Sequence, residues 1–151
     1  MTIKKLLIAN RGEIASRIIS SAHDMGISCV AIYTEADKDT PYVREADQAF
    51  KLTDSYLNSK EILDIALKSN SDAIHPGYGF LSENAAFANQ VKKLNIKWVG
   101  PSSNAIKKMG DKLTAKEIAI KANVPTLPMT SDPKKANSIG YPILVKAAAG
   151  G

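Results

Sequence analysis

Short apolar runs alternate with amphipathic stretches along most of the chain. The runs 3–9 and 28–33 are typical of strands that are buried on both faces. Between them the sequence predicts a helix over 13–25, which Gly26 ends. The apolar stripe of this helix is formed by Ile14, Ile18, Ala22 and Met25. A strand, a helix and a further strand in this order predict a βαβ unit.

The alternation continues beyond the second strand. Further strands are predicted at 47–52, 73–75 and 96–99. Two helices separate them. Asn58, with Glu61 three residues later, is a capping-box-like start for the first, and Ser82 can cap the second. Strands alternating with helices predict a mainly parallel sheet flanked by helices, so the expected fold class is α/β.

The pattern changes after Gly100 and Pro101. Asp111 is a predicted N-cap, and Pro125 and Pro128 interrupt the chain after its helix. The elements predicted in this part are helices at 105–109, 112–123 and 134–138 and a strand at 143–146. We therefore expect a domain boundary near Gly110, with one domain at 1–110 and the start of another at 111–151.

Composition narrows the class of protein. The chain has 151 residues, 44% of them hydrophobic and 23% charged, which favours an ordered domain over disorder. One cysteine, Cys29, excludes a disulfide framework or a zinc site built from cysteines. No apolar run is long enough for a bilayer, and the run before Arg11 is too short for a signal peptide. We therefore expect a cytoplasmic protein that does not enter membranes.

The net charge of +5 permits a polyanionic partner. Only three of the cations are arginine, however, and the lysines are scattered among acids, whereas nucleic-acid surfaces usually cluster arginine and interleave aromatic residues. A solvated, lysine-rich surface explains the charge, and we expect no nucleic-acid partner.

The first predicted strand runs into a turn, 9–13, at a position where open α/β sheets bind ligands. A dinucleotide fingerprint needs three glycines here, and only Gly12 is present, so a hydride-transferring dehydrogenase is not favoured. The alternative is that Arg11 and Glu13 only fix the turn electrostatically.

The segment 75–84, with the sequence HPGYGFLSEN, is the densest unusual stretch. Gly77 and Gly79 let the backbone pass close to another group, and Tyr78 between them presents an aromatic face. The residues of this segment by themselves fit a ligand-binding loop and a tightly packed structural turn equally well. His75, whose backbone Pro76 holds extended, suits a structural role better than that of a catalytic base.

Two lysines are candidate anion-binding residues. Lys112 lies in the first turn of a predicted helix, where a cation is unfavourable unless an anionic ligand or solvent compensates it. Lys146 ends an apolar strand before a run of small residues and glycine, a pattern that suits phosphate but also fits a frayed terminus.

Together these motifs resemble biotin carboxylase, the ATP-dependent component of acetyl-CoA, propionyl-CoA and pyruvate carboxylases. The matching segments span nearly the whole chain in the family's order, namely IANRGEIA (8–15), HPGYGFLSEN (75–84), WVGPSS (98–103), MGDK (109–112) and GYPILVKAAAGG (140–151). The resemblance implies a Rossmann-like, pre-ATP-grasp domain followed by the start of an ATP-grasp domain. Related ATP-grasp ligases, such as carbamoyl-phosphate or purine-pathway enzymes, are disfavoured by the first two segments.

The resemblance also implies chemistry and site residues. The family uses ATP, Mg²⁺ and bicarbonate to carboxylate biotin on a carrier protein, and a carboxyltransferase part receives the carboxyl group. Lys112 and Lys146 match ATP-contacting lysines, and Gly150 and Gly151 match the opening of the glycine-rich lid over the phosphates. Tyr78 and Gly79 match a loop that faces biotin. Arg17 lies in a region that the family uses for homodimer contacts.

The family's magnesium carboxylates, bicarbonate-binding residues and catalytic acid and base lie downstream of the matched segments. The resemblance therefore predicts an N-terminal part of a longer biotin carboxylase, inactive by itself and with no catalytic residue or metal ligand of its own. The alternative is a free-standing binding or dimerisation module without chemistry. The acyl-CoA or keto acid that the parent carboxylates is not encoded in this sequence.

Overall fold

The computed structural model describes residues 2–146, and the chain separates into two compact units, Met1–Ile106 and Lys107–Gly151. The first unit contains a parallel five-stranded sheet. Its strands are β1 (Lys5–Ile8), β2 (Ser28–Tyr33), β3 (Gln48–Lys51), β4 (Ala73–His75) and β5 (Lys97–Trp98). They lie in the order β3-β2-β1-β4-β5. The predicted α/β class with a parallel sheet is confirmed.

The helices of this unit follow the strands in alternation. They are α1 (Gly12–Asp24), α2 (Pro41–Glu45), α3 (Ser59–Lys68), α4 (Ala85–Lys93) and α5 (Ser103–Gly110), the last of which contains the division between the two units. Two short 3₁₀-helices, Glu35–Asp37 and Phe80–Glu83, lie in the loops after β2 and β4.

Alternating strand residues divide the core into two layers. Leu7, Val30 and Ile74 pack with side chains of α3 and α4 on one face of the sheet. Ile8 and Ala31 pack with α1 and α2 on the other face. Both faces are covered because each crossover helix brings its apolar stripe back onto the sheet, which explains why the strands read as continuous apolar runs.

Helix ends follow local chemistry, with one correction to the sequence expectation. The Asn58 side chain accepts a hydrogen bond from the Glu61 amide at 3.2 Å, which confirms the predicted cap of α3. Ser82 does not cap α4, because it lies inside the 3₁₀-helix. Asn84 caps α4 by accepting from the Phe87 amide at 2.9 Å, since the 3₁₀ turn shifts the helix start towards the C-terminus.

The described part of the second unit contains α6 (Lys112–Lys121) and a 3₁₀-helix (Pro133–Ser138). Asp111 caps α6 as predicted, accepting from the Thr114 amide at 2.7 Å. The predicted strand at 143–146 is wrong, because this segment has no regular structure and Val145 is 87% exposed. A strand needs a partner backbone for its N–H and C=O groups, and no strand of the described residues pairs with this one.

Within residues 2–146, no helix combines the length and the apolar character that crossing a bilayer requires.

Candidate functional site

Open α/β sheets have a crevice beside the two strands at which the strand order reverses, and here these are β1 and β4. In the order β3-β2-β1-β4-β5, the chain progresses in opposite directions on the two sides of this strand pair, which makes it the topological switch point of the sheet. The turn 9–13 leaves the carboxyl end of β1, and the loop 76–79 leaves the carboxyl end of β4. The two motifs singled out in the sequence are therefore neighbours in the fold, at the position where open α/β sheets bind ligands.

Asn10 ties the two motifs together. Its side chain is 1% exposed, and its Nδ2 donates both of its hydrogens, to the Pro76 carbonyl at 2.7 Å and to the Tyr78 carbonyl at 2.8 Å. Its Oδ1 accepts from the Arg11 amide at 2.9 Å. One buried amide thus fixes the loop 76–79 against the β1–α1 turn, since only a primary amide offers two donors and an acceptor in this arrangement.

Gly77 is the position that lets the loop approach Asn10. It has a φ of +64°, and a Cβ added there would lie 2.6 Å from Nδ2 of Asn10. Both facts require glycine, because the left-handed conformation disfavours a side chain and the amide occupies the space. The sequence left a ligand-binding loop and a tightly packed turn open for the segment 75–84. At Gly77 the turn is tightly packed, and the ligand-binding interpretation of the segment stays a prediction.

Replacing Gly77 by alanine should destabilise the first unit by about 2–3 kcal/mol, because left-handed strain adds to overpacking against Asn10. The matched control is Gly26→Ala, which has the same left-handed backbone (φ +70°) but nothing within 4 Å of the added Cβ. That control should cost about 1 kcal/mol. Urea unfolding followed by Trp98 fluorescence measures both, and equal losses in the two variants would contradict a role for the Asn10 contact.

Tyr78 and Phe80 hold the outer part of the loop. The Tyr78 hydroxyl donates to the Glu13 carboxylate at the start of α1, and this bond raises the pKa of Tyr78 above its usual value. The Phe80 ring packs against Tyr56 with centroids 5.5 Å apart. Gly79 between them has a φ of +63°. The loop is thus fixed at several points while Tyr78 stays 61% exposed, so that this residue presents an aromatic surface to solvent.

A second polar network lies beside the same turn. Arg11 forms a two-pronged ion pair with Asp37, with its Nε donating to Oδ2 at 2.8 Å, and Asp37 is only 3% exposed. The Tyr56 hydroxyl donates to the same Oδ2 at 2.6 Å and accepts from the Thr34 amide at 3.1 Å. The Tyr42 and Tyr56 hydroxyls lie 2.9 Å apart. This network joins the loops that follow β1, β2 and β3.

The electrostatics of this network favour a charged carboxylate. The hydrogen bonds from Arg11 hold the pKa of Asp37 below its usual value, although burial opposes the shift. Hydrogen bonding to Asp37 raises the pKa of Arg11 in turn. Burial raises the pKa values of Tyr42 and Tyr56, which stay neutral donors. Arg11 and Glu13 therefore do fix the turn, Arg11 through Asp37 and Glu13 through Tyr78.

His75 and Arg17 lie on the side of the crevice formed by β4 and α1. His75 Nδ1 accepts from the Gly77 amide at 2.9 Å, and burial together with the charge of Arg17 lowers the pKa of His75. The neutral His75 ring already uses its Nδ1 lone pair to hold the loop, which supports a structural role for His75 over that of a catalytic base. Arg17 is exposed and borders an apolar recess of about 200 Å³, with Ile18, Met25 and Val99 among its lining residues.

The two predicted ATP lysines belong to the second unit. Lys112 is the first residue of α6, directly after its cap Asp111. Lys146 is exposed at the end of the irregular segment 143–146. The predicted lid residues Gly150 and Gly151 lie outside the described residues. The structure thus groups Tyr78, Gly79 and Arg17 within the first unit, and the roles assigned to these residues and to the lysines stay predictions.

Sequence reasoning missed three residues that build the site. Asn10 carried one usable signal, because it is a polar residue placed directly after the apolar run 3–9 that contains β1. Asp37 and Tyr56 carried none. They are ordinary loop residues in the sequence, and they meet only because parallel strands end at the same edge.

Comparison with known proteins agrees with this geometry. Residues 2–106 match the family described as biotin carboxylase, N-terminal domain. Biotin carboxylase 1 of Bacillus subtilis is 50% identical over 99% of this chain and 36% of its own length. Biotin carboxylase 2 of the same organism is 46% identical over 97% of this chain and 36% of its own length.

Solved structures of related carboxylases also share the fold of this chain. The biotin carboxylase domain dimer of Hydrogenobacter thermophilus 2-oxoglutarate carboxylase, in complex with MgADP, ADP and bicarbonate, superposes with a TM-score of 0.91 at 43% identity, covering 100% of this chain and 36% of that chain. A pyruvate carboxylase of Rhizobium etli superposes with a TM-score of 0.92 at 38% identity, covering 100% of this chain and 15% of that chain.

The chain spans about a third of the length of the curated relatives it matches. The family match covers more than half of the chain, and its range, 2–106, includes the whole sheet and the two motifs at its switch point. This chain belongs to the biotin carboxylase N-terminal domain family.

Proposed function

We propose that the chain supplies the N-terminal part of a biotin carboxylase, an ATP-dependent ligase. In that reaction ATP activates bicarbonate as carboxyphosphate, and the carboxyl group passes to a ureido nitrogen of biotin on a carrier protein. Mg²⁺ supplies charge neutralisation at the phosphates. In this proposal residues 1–110 are the pre-ATP-grasp domain and 111–151 begin the ATP-grasp domain.

The observation that carries the proposal is the ordered loop at the switch point. Asn10 and Glu13 hold the loop so that Tyr78 and Gly79 face solvent beyond the carboxyl end of β4. An exposed aromatic ring beside a left-handed glycine suits a flat ligand such as the biotin ring system. The Hydrogenobacter biotin carboxylase domain, solved with MgADP, ADP and bicarbonate, supports the ATP- and bicarbonate-dependent reaction of the proposal.

We assign nucleotide binding to residues of the second unit. An ammonium group at Lys146 acts on phosphate as a mobile point charge, and Lys112 at a helix start is favoured when an anion lies nearby. We assign both lysines, with Gly150 and Gly151, to the ATP side of the site. The chain itself contributes no catalytic acid or base to this proposal.

In a full-length biotin carboxylase that contains this chain, replacing Lys112 or Lys146 by glutamine should weaken ATP binding about ten- to a hundredfold, since a charge-assisted bond to phosphate contributes about 1.5–3 kcal/mol. Biotin affinity measured without nucleotide should change little. Lys121→Gln is the matched control, because it removes the same charge at the other end of α6. Calorimetric titration with ATP, with melting curves alongside, measures the effect. Unchanged ATP affinity in a folded variant would remove that lysine from the site.

A chimeric enzyme tests the whole proposal. Residues 1–151 would replace the matching N-terminal part of Bacillus subtilis biotin carboxylase 1. The chimera should cleave ATP in a bicarbonate- and biotin-dependent manner, and its Lys146→Gln version should lose most of this activity at low ATP. A chimera that folds and binds ATP but shows no bicarbonate-dependent cleavage would contradict the proposal and favour a non-catalytic module.

The proposal includes partners and location. A biotin carboxyl carrier protein and a carboxyltransferase are implied by the reaction, since carboxybiotin must be formed and then consumed.

The exposed Arg17 beside its apolar recess is assigned to a homodimer contact, which the dimeric Hydrogenobacter relative supports. Arg17→Glu in the chimera should shift its sedimentation from dimer to monomer. A cytoplasmic location fits the single reduced thiol of Cys29.

A further inference from the structure

Three metal-ligating side chains meet at the amino end of the sheet, away from the crevice. His23 lies in the last turn of α1, Cys29 near the start of β2, and Asp47 directly before β3. His23 Nε2 lies 2.9 Å from Oδ2 of Asp47, and one ligand atom of each residue lies within 4.8 Å of the other two. This cluster has no part in the function proposed above.

We propose that His23, Cys29 and Asp47 form a binding site for a divalent transition-metal ion of the zinc class. Zinc takes thiolate, imidazole and carboxylate ligands at about 2.0–2.3 Å in sites with three protein ligands. Donor atoms this close together reach a shared ion with small side-chain shifts. The mixed donor set favours zinc or a similar ion over Mg²⁺ or Ca²⁺, which prefer oxygen ligands.

The surrounding hydrogen bonds are compatible with ligation. Oδ2 of Asp47 accepts from the Cys29 backbone amide at 2.7 Å, which fixes the carboxylate beside the thiol. A carboxylate oxygen can keep that bond and still bind an ion. On binding, the His23 ring carries its proton on Nδ1 so that Nε2 can ligate, and the Cys29 thiol releases its proton to solvent.

Solvent outside the cluster gives the ion a way in and supplies its fourth ligand. His23 and Asp47 line an open recess of about 330 Å³ together with Gly26, Ile27 and Ser28. The Cys29 thiol is buried behind them, within 4.8 Å of their ligand atoms. An ion held by the three side chains would face this recess, where water completes its coordination. The ion would then join α1, β2 and the start of β3.

Cobalt titration tests the proposal directly. Tag-free protein of the full 151-residue chain, without nucleotide or thiol reductant, is titrated with Co²⁺. We expect a thiolate-to-cobalt charge-transfer band in the near ultraviolet that saturates at one equivalent and disappears when Zn²⁺ is added. Because Cys29 is the single cysteine of the chain, the band reports this residue alone. Zn²⁺ should also raise the melting temperature.

The variants separate a built site from a lone thiol. Cys29→Ser should abolish the band and the Zn²⁺-dependent rise in melting temperature. His23→Gln, at an exposed helix position, and Asp47→Asn, which keeps an acceptor for the Cys29 amide, should each raise the Co²⁺ Kd at least about tenfold. Asp24→Asn, which removes a neighbouring charge on α1, should leave the Kd unchanged.

Two results would overturn the site. One is the absence of the band at about a hundredfold excess of Co²⁺. The other is a band whose midpoint is the same in wild type, His23→Gln and Asp47→Asn, since a thiol alone would then be the ligand. Circular dichroism of each variant verifies that it is folded. The outcome is independent of the ATP and biotin experiments, because it uses neither ligand.

Discussion

Asn10→Asp is expected to destabilise the first unit by about 4 kcal/mol, the largest effect of any substitution considered. The change keeps the shape of the side chain but replaces the NH2 group, which donates both hydrogens, by one oxygen that faces the Pro76 and Tyr78 carbonyls at 2.7 and 2.8 Å. An ionised carboxylate there is buried among acceptors, and a protonated one can donate to only one of them. Both forms leave buried polar groups unsatisfied.

Asn84→Asp is the matched control. Asn84 uses its side-chain oxygen to accept from the Phe87 amide at the start of α4, where a carboxylate is equally suitable and the helix dipole favours its charge. We expect a change within about 0.5 kcal/mol. Trp98 is the single tryptophan and lies in the first unit, packed edge-on to Phe87, so its fluorescence during urea unfolding reports this unit. Equal stability of the two variants would show that the Asn10 donors contribute little.

Asp37→Ala should cost about 3 kcal/mol. Removing this 3% exposed carboxylate leaves the Tyr56 hydroxyl without its acceptor and Arg11 without its ion-pair partner. Breaking a buried pair costs about 3–5 kcal/mol, and the low end applies because the Arg11 side chain is 46% exposed. Asp39→Ala, on the exposed side of the same loop, removes the same charge and should change stability by less than about 0.5 kcal/mol.

The pH dependence of the Asp37 contribution has a definite sign. Its pKa in the folded state lies below the unfolded value of about 3.9, so its stabilisation is complete above that value and is lost as the pH falls through the lower folded pKa. The stability difference between wild type and Asp37→Asn should therefore be constant near neutral pH and shrink in acid. A difference that grows on acidification would contradict the charged carboxylate.

The sequence alone predicted the fold class and most element positions of the first unit. The apolar run 28–33 became β2 with the predicted bounds, because a fully buried strand must be continuously apolar. Asn58 and Asp111 cap their helices, because capping depends on residues only three apart. The motif 75–84 indicated the family from its residue order alone. Its glycines and its tyrosine also favour a particular local path of the backbone.

Tertiary structure decided everything that depends on residues far apart in the chain. Ser82 lost the cap of α4 to Asn84 because the loop, held by Asn10 and Tyr56, turns through a 3₁₀-helix first. The strand expected at 143–146 has the right apolar pattern, but a strand exists only with a partner backbone.

The candidate site shows the same division between local pattern and tertiary structure. The sequence marked the turn after β1 and the loop after β4 as separate motifs, with no sign that one buried amide joins them. Their meeting follows from the strand order, which places β1 beside β4 although 66 positions separate Asn10 from Pro76. Local propensity fixes the elements within a few residues, whereas burial of both sheet faces selects the order in which the strands pair, and that order brings Asn10, Asp37 and Tyr78 to one edge.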